Sequence, residues 1–128
     1  MKLFFSWEKS ADSLHPSCSS NVVNQVGVSP LACLLTDDGG QRYLDTVPWL
    51  NEGIERAKLI RHSGINTVDW SRDAWGAELS REQAKIYSLY EDDCFETLNL
   101  DAFETALLAW RNFIQMTPDP GASQMIEI

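Results

Sequence analysis

Apolar positions recur along this chain at two different periods, and the change of period separates expected strands from expected helices. The clearest stretch comes late. Phe103, Ala106, Leu107, Trp110, Phe113 and Ile114 fall at i, i+3, i+4, i+7, i+10 and i+11, one continuous stripe on a 3.6-residue helix. Asn99 or Asp101 can cap its start, Asp101 with Glu104 fits a capping box, and Thr117-Pro118-Asp119-Pro120-Gly121 ends it. The spacing predicts a helix over about 100–116. A second helix is predicted over about 46–62, where Val47, Leu50, Ile54, Ala57 and Ile60 keep helical spacing. Asp45-Thr46 offers caps, and Pro48 suits a first turn whose N–H groups have no intrahelical partner. Arg56, Lys58 and Arg61 gather toward the negative end of the helix dipole. Gly64 is placed to stop this helix in a left-handed conformation, and Trp49 to face partly away from its apolar line.

Two-residue alternation marks the strands. Residues 2–8 are aromatic and β-prone and read as an opening strand. Residues 9–21 are rich in serine, contain Pro16 and show no period, so a mobile loop is expected there. Val22, Val26 and Val28 share the parity of one strand face. Leu31–Thr36 is a short apolar run, ended by the turn signal Asp37-Asp38-Gly39-Gly40, across which Gln41–Leu44 can pair back. Residues 65–75 fit either a loop or an irregular strand. Trp75, Ala77 and Leu79, then Ala84, Ile86, Ser88 and Tyr90, alternate on either side of a polar connection and predict a β-hairpin. Cys94–Leu98 can add one more strand, and Met125, Ile126 and Ile128 an edge strand in the tail 118–128. The sum predicts one α+β domain over residues 1–128, a mostly antiparallel sheet with the two helices packed against it.

Composition changes this picture little, and charge changes it more. With 44% apolar and 23% charged residues the chain is far from a disordered one. No apolar run approaches the roughly 20 residues that span a bilayer, and the opening patch is too short for a signal peptide's apolar region. Three scattered cysteines (Cys18, Cys33, Cys94) are odd in number, which favours a reduced, cytoplasmic setting over a disulfide framework. The formal charge is −9, and it is uneven: residues 1–64 carry 7 acids and 6 bases, residues 65–128 carry 12 acids and 4 bases. Nucleic acid and anionic membranes are therefore unfavourable direct partners.

Candidate chemistry is sparse. Neither CxxC nor HExxH occurs, and no glycine-rich phosphate loop is present. His62 suits a helix C-terminus, Cys33 suits a core, and three acids beside Cys94 disfavour its thiolate. No catalytic residue, metal ligand or cofactor is therefore expected. The cluster Glu91-Asp92-Asp93, with Glu96 following, lacks the alternating ligands and glycine of a calcium loop. It fits a solvated loop or an interaction surface better. Trp70 and Trp75 stand among Asp69, Arg72, Asp73 and Glu78, and an aromatic ring beside charges often anchors a binding surface. For Trp75, packing inward from its strand is the competing expectation.

The run YLDTVPWLNEGIERAKLIRHSG from Tyr43, followed by DAWGAELSREQAKIYSLYEDDCFETLNLDAFETALLAWRNFI from Asp73, resembles small bacterial immunity proteins of polymorphic toxin systems, including contact-dependent growth inhibition. The shared features are a helix with a Glu-Gly-Ile segment, a Trp-containing strand, an Ile-Tyr-Ser-x-Tyr strand followed by acids, and an amphipathic helix with Phe, Leu, Trp and Phe in order. They cover about 75 residues, 43–117, and residues 1–42 have no counterpart. The resemblance implies a protein that binds and neutralises a cognate toxin domain in the cytoplasm, often a basic nuclease. Charge and position, not a family motif, then nominate Asp73, Glu78, Glu91, Asp92, Asp93 and Glu96 as the acidic face. Trp70, Trp75 and Tyr90 become its apolar anchors. Two rivals from other classes are a small metal-dependent hydrolase using the Glu91–Asp93 cluster and an adaptor for some other basic protein.

Overall fold

Two antiparallel sheets and three helices make up the computed structural model, which describes all 128 residues, Met1–Ile128. In chain order the elements are β1 (Lys2–Ser10), β2 (Ser13–Ser20), α1 (Pro30–Leu35), a 3-10 turn (Tyr43–Thr46) and α2 (Val47–His62). Then come β3 (Val68–Ser71), β4 (Trp75–Leu79), β5 (Gln83–Ser88), β6 (Phe95–Asn99), α3 (Leu100–Ile114) and β7 (Ser123–Glu127). The α+β class holds. The strands divide into a three-stranded sheet ordered β2-β1-β7 and a four-stranded meander ordered β3-β4-β5-β6. The tail supplies β7 as an edge strand beside β1, in the register Leu3↔Ile126.

α3 holds the two sheets to one core. Its stripe buries Phe103, Ala106, Leu107, Trp110, Phe113 and Ile114. On one side Phe5 of β1 meets Trp110 and Phe113 with ring centroids 5.2 and 5.4 Å apart. On the other, Phe103 meets the edge of Trp70 of β3. Leu3, Phe5 and Trp7 share a single continuous apolar cluster with Trp70, Ala77, Leu79, Ala84 and Ile86. Each large side chain buried in this way stabilises the fold by about 1.5–3 kcal/mol. Asn99 caps α3, its Oδ1 accepting from Ala102 N at 2.7 Å. Glu104 makes no capping box: with Asp101 it binds Arg61 and ties α3 to α2.

Several expectations are corrected. Residues 13–20 form β2, not a mobile loop. Its outer face is Ser13, His15, Ser17 and Ser19, so no hydrophobic alternation reveals it. Pro16 sits opposite Trp7, and the bond from Asn21 N to Lys2 O sets the alternation of the ladder, so that Pro16's nitrogen points away from β1 and forfeits no rung. Residues 22–28 form no strand, because the Asn24 side chain captures the backbone there. The run 31–36 is helical over Pro30–Leu35, since Ser29 Oγ accepts from Ala32 N at 3.2 Å and Pro30 opens the first turn. Gln41–Leu44 does not pair back; Tyr43 and Leu44 enter the 3-10 turn. Ser63, extended, ends α2 in place of a left-handed Gly64. Trp49 is buried.

Candidate acidic docking surface

Three connections meet at one end of the four-stranded sheet, and hydrogen bonds join them. Asp37, in the segment after α1, accepts through Oδ2 from Ala74 N (2.8 Å) and Trp75 N (3.1 Å) in the β3–β4 turn. Leu89 N in the β5–β6 loop donates to Ala74 O at 2.9 Å. The Tyr90 hydroxyl donates to Asp73 O at 3.3 Å. Ser88 Oγ accepts from both Tyr90 N and Glu91 N, at 3.1 Å each, and the Cys94 backbone closes the loop onto Ser88 and Glu91. The loop is thus held in shape by hydrogen bonds with little apolar burial.

This end collects Asp73, Glu91, Asp92 and Asp93, all exposed. None of them forms an ion pair; the acids paired in this protein are Glu8, Asp45, Glu52, Glu55, Asp101 and Glu104. The nearest cation in sequence, Arg72, pairs with none of these four and lies 5.0 Å over the Trp49 ring, with one nitrogen 3.5 Å from Asp38 O. Tyr90 precedes Glu91 in the loop, reaches Asp73 O with its hydroxyl and is 77% exposed. Trp75 is half-buried and packs against the core from the start of β4.

The remaining nominated residues lie elsewhere. Trp70 is 1% exposed. It stacks on Trp49 at 4.1 Å, its Nε1 donates to Trp49 O at 3.1 Å, and Gly53 lies against its ring. It is a core residue and not a surface anchor. Glu96 points inward from β6, where Oε1 accepts from Leu31 N at 2.8 Å and meets the start of α1. Burial pushes its carboxyl above the usual range, partly offset by that bond. Glu78 sits on the outer face of the sheet, in register with Asp69 on one side and Lys85 on the other. Burial, then Asp69 and Glu78, raise the neighbouring Tyr87 hydroxyl. Asp37 and Asp38 join the cluster unforeseen: Asp-Asp-Gly-Gly reads as a turn, and only tertiary structure brings it beside Asp73.

Nucleophilic chemistry finds little support in the arrangement. All three cysteines are free thiols. Burial and the nearby Cys33 push Cys18 up to about 12, and burial raises Cys33 and Cys94 as well, which leaves little reactive thiolate at neutral pH. A cleft of about 730 Å³ runs between β2 and residues 35–46, lined by His15, Cys18, Asp38, Arg42, Tyr43 and Trp110 among others. His15 lies 3.9 Å from Glu8 there. No three His, Cys, Asp or Glu side chains are grouped to hold a metal ion, and no helix is long and apolar enough to cross a membrane.

Comparison with protein-family models, with curated proteins and with solved structures returned no match.

Proposed function

We propose that this chain is an immunity protein that binds and neutralises a cognate basic, nuclease-type toxin domain through its acidic end. The observation that carries the reading is the junction of Asp73 with Glu91, Asp92 and Asp93 around Tyr90, four carboxylates without an internal counter-ion. Uncompensated charge of one sign raises the local concentration of an oppositely charged partner and speeds encounter, an effect that weakens as salt rises. An exposed tyrosine at the centre of such a surface buries much area on contact at small entropic loss. The resemblance of residues 43–117 to immunity proteins supplies the class of partner. Asp37 extends the same face by bracing the β3–β4 turn.

Co-expression with the toxin domain encoded by the neighbouring gene tests the reading. The wild-type chain restores growth and co-purifies with the domain, and the variant carrying Glu91→Lys, Asp92→Lys and Asp93→Lys does neither. Failure of the wild-type chain to protect, or full protection by the variant, contradicts it.

A further inference from the structure

The segment between β2 and α1 is a closed turn, not a loose connection. Asn24 N donates to Val28 O at 2.8 Å, and Gly27 N donates to Asn24 O at 3.0 Å. The Asn24 side chain fills the ring so formed, its Oδ1 accepting from Val26 N (3.0 Å) and Val28 N (2.9 Å). Gly27, at φ +82°, supplies the left-handed residue that lets the chain reverse. Four hydrogen bonds thus fix five residues, and the residue they leave at the tip is Val26, 80% exposed. Val22 and Val23, at the base of the turn, are exposed as well. An ordered turn that holds Val22, Val23 and Val26 in water gains little from them in the folded monomer.

The turn is also placed. Asn24 Nδ2 donates to Cys94 Sγ at 3.6 Å, and Cys94 closes the loop that carries Glu91, Asp92 and Asp93. An apolar tip is therefore tethered to the edge of the uncompensated acids, while Tyr90 stands among them.

We infer that the Asn24–Val28 turn is the apolar half of the docking surface, and that its occupant is a basic protein domain with an apolar depression beside its cationic face. The charge complementarity of the adjoining acids selects that occupant over a neutral or acidic one. The inference rests on the toxin-docking reading and adds a division of labour. The acids govern how fast the partner arrives, and Val26 how long it stays.

The test is the kinetics of binding to the neighbouring-gene toxin domain, measured by surface plasmon resonance at low and high salt. Val26→Ser is expected to speed dissociation about tenfold, the worth of one valine side chain withdrawn from a buried site. The on-rate, its salt dependence and the melting temperature should stay at wild-type values. Asn24→Ala should weaken binding with every valine retained, because the turn is no longer preformed. If Val26→Ser dissociates at the wild-type rate while lysine reversal of Glu91, Asp92 and Asp93 still slows association, the turn is not part of the interface and the acidic reading survives. If the wild-type chain does not bind the domain, both fall. If Val26→Ser instead abolishes a concentration-dependent dimer of the free protein, the turn belongs to self-association and the inference is overturned.

Discussion

Gly53 lies in the middle of α2, where alanine is ordinarily the better helix former by about 1 kcal/mol. The packing around it opposes that gain. A Cβ at this position would come within 2.6 Å of Cε2 and Cζ2 of Trp70 and within 3.0 Å of Cδ2, far inside the roughly 3.5–4 Å optimum for carbon–carbon contact. The indole has no route of retreat. It stacks on Trp49 at 4.1 Å, meets the Phe103 ring at 5.9 Å and is held by its bond to Trp49 O. Overpacking of a core costs about 1–3 kcal/mol, and a pinned aromatic ring belongs at the upper end. Against the propensity gain, Gly53→Ala should destabilise the fold by about 2 kcal/mol, a fall of roughly 8 °C in melting temperature for a domain of this size. Urea denaturation followed by tryptophan fluorescence measures it, with an unchanged m-value. In a Trp70→Leu background the penalty should shrink, because the obstructing ring is gone. A variant as stable as wild type, or more so, would refute the claim that Trp70 is locked in the core.

Two further changes probe other parts of the account. Ala11 occupies the β1–β2 turn at φ +54°, so Ala11→Gly relieves about 1–2 kcal/mol of left-handed strain against about 0.4–1 kcal/mol of added unfolded-state freedom. The urea midpoint should rise, and a lower midpoint would contradict the turn geometry. Glu96 titrates above its usual range in the folded state through burial, so its contribution to stability is fully present below the unfolded value and is lost as pH rises through the folded one. Glu96→Gln keeps an acceptor for Leu31 N without the charge, and should therefore be more stable than wild type at neutral pH. That advantage should vanish below about pH 4, where the wild-type carboxyl is protonated too; a constant advantage would mean that the charge is not the cause.

How much of this molecule was legible depended on whether a residue's partners were near it in sequence. α3 was readable because its burial stripe and its Asn99 cap are local. The β4–β5 hairpin was readable because alternation and turn lie within fourteen residues. β2 was not, since a serine-rich edge strand shows the same polarity on its outer face as a loop. Valines 22, 26 and 28 have strand parity, but the Asn24 amide offers the backbone competing bonds that parity cannot reveal. In the site, Glu91-Asp92-Asp93 was plain because the acids are adjacent. Asp73 joins them through Tyr90 and the Leu89–Ala74 bond, and Asp37 through the backbone of Ala74 and Trp75. Trp70 is not legible as a core residue because its neighbours Asp69 and Arg72 are charged. Asp69 points outward from the short strand Val68–Ser71 while the tryptophan points in, and Arg72, just past the strand, folds over the Trp49 ring.

The central claim is that the carboxylates gathered at one end of the four-stranded sheet draw in a basic toxin domain. The most direct measurement is the association rate with that domain as a function of ionic strength, for the wild-type chain and for the variant with Glu91, Asp92 and Asp93 changed to lysine. Docking through these carboxylates predicts a wild-type rate that falls steeply with salt, and a variant that associates at least tenfold more slowly at low salt with a flattened salt dependence. Equal rates and equal salt slopes for the two proteins would contradict it.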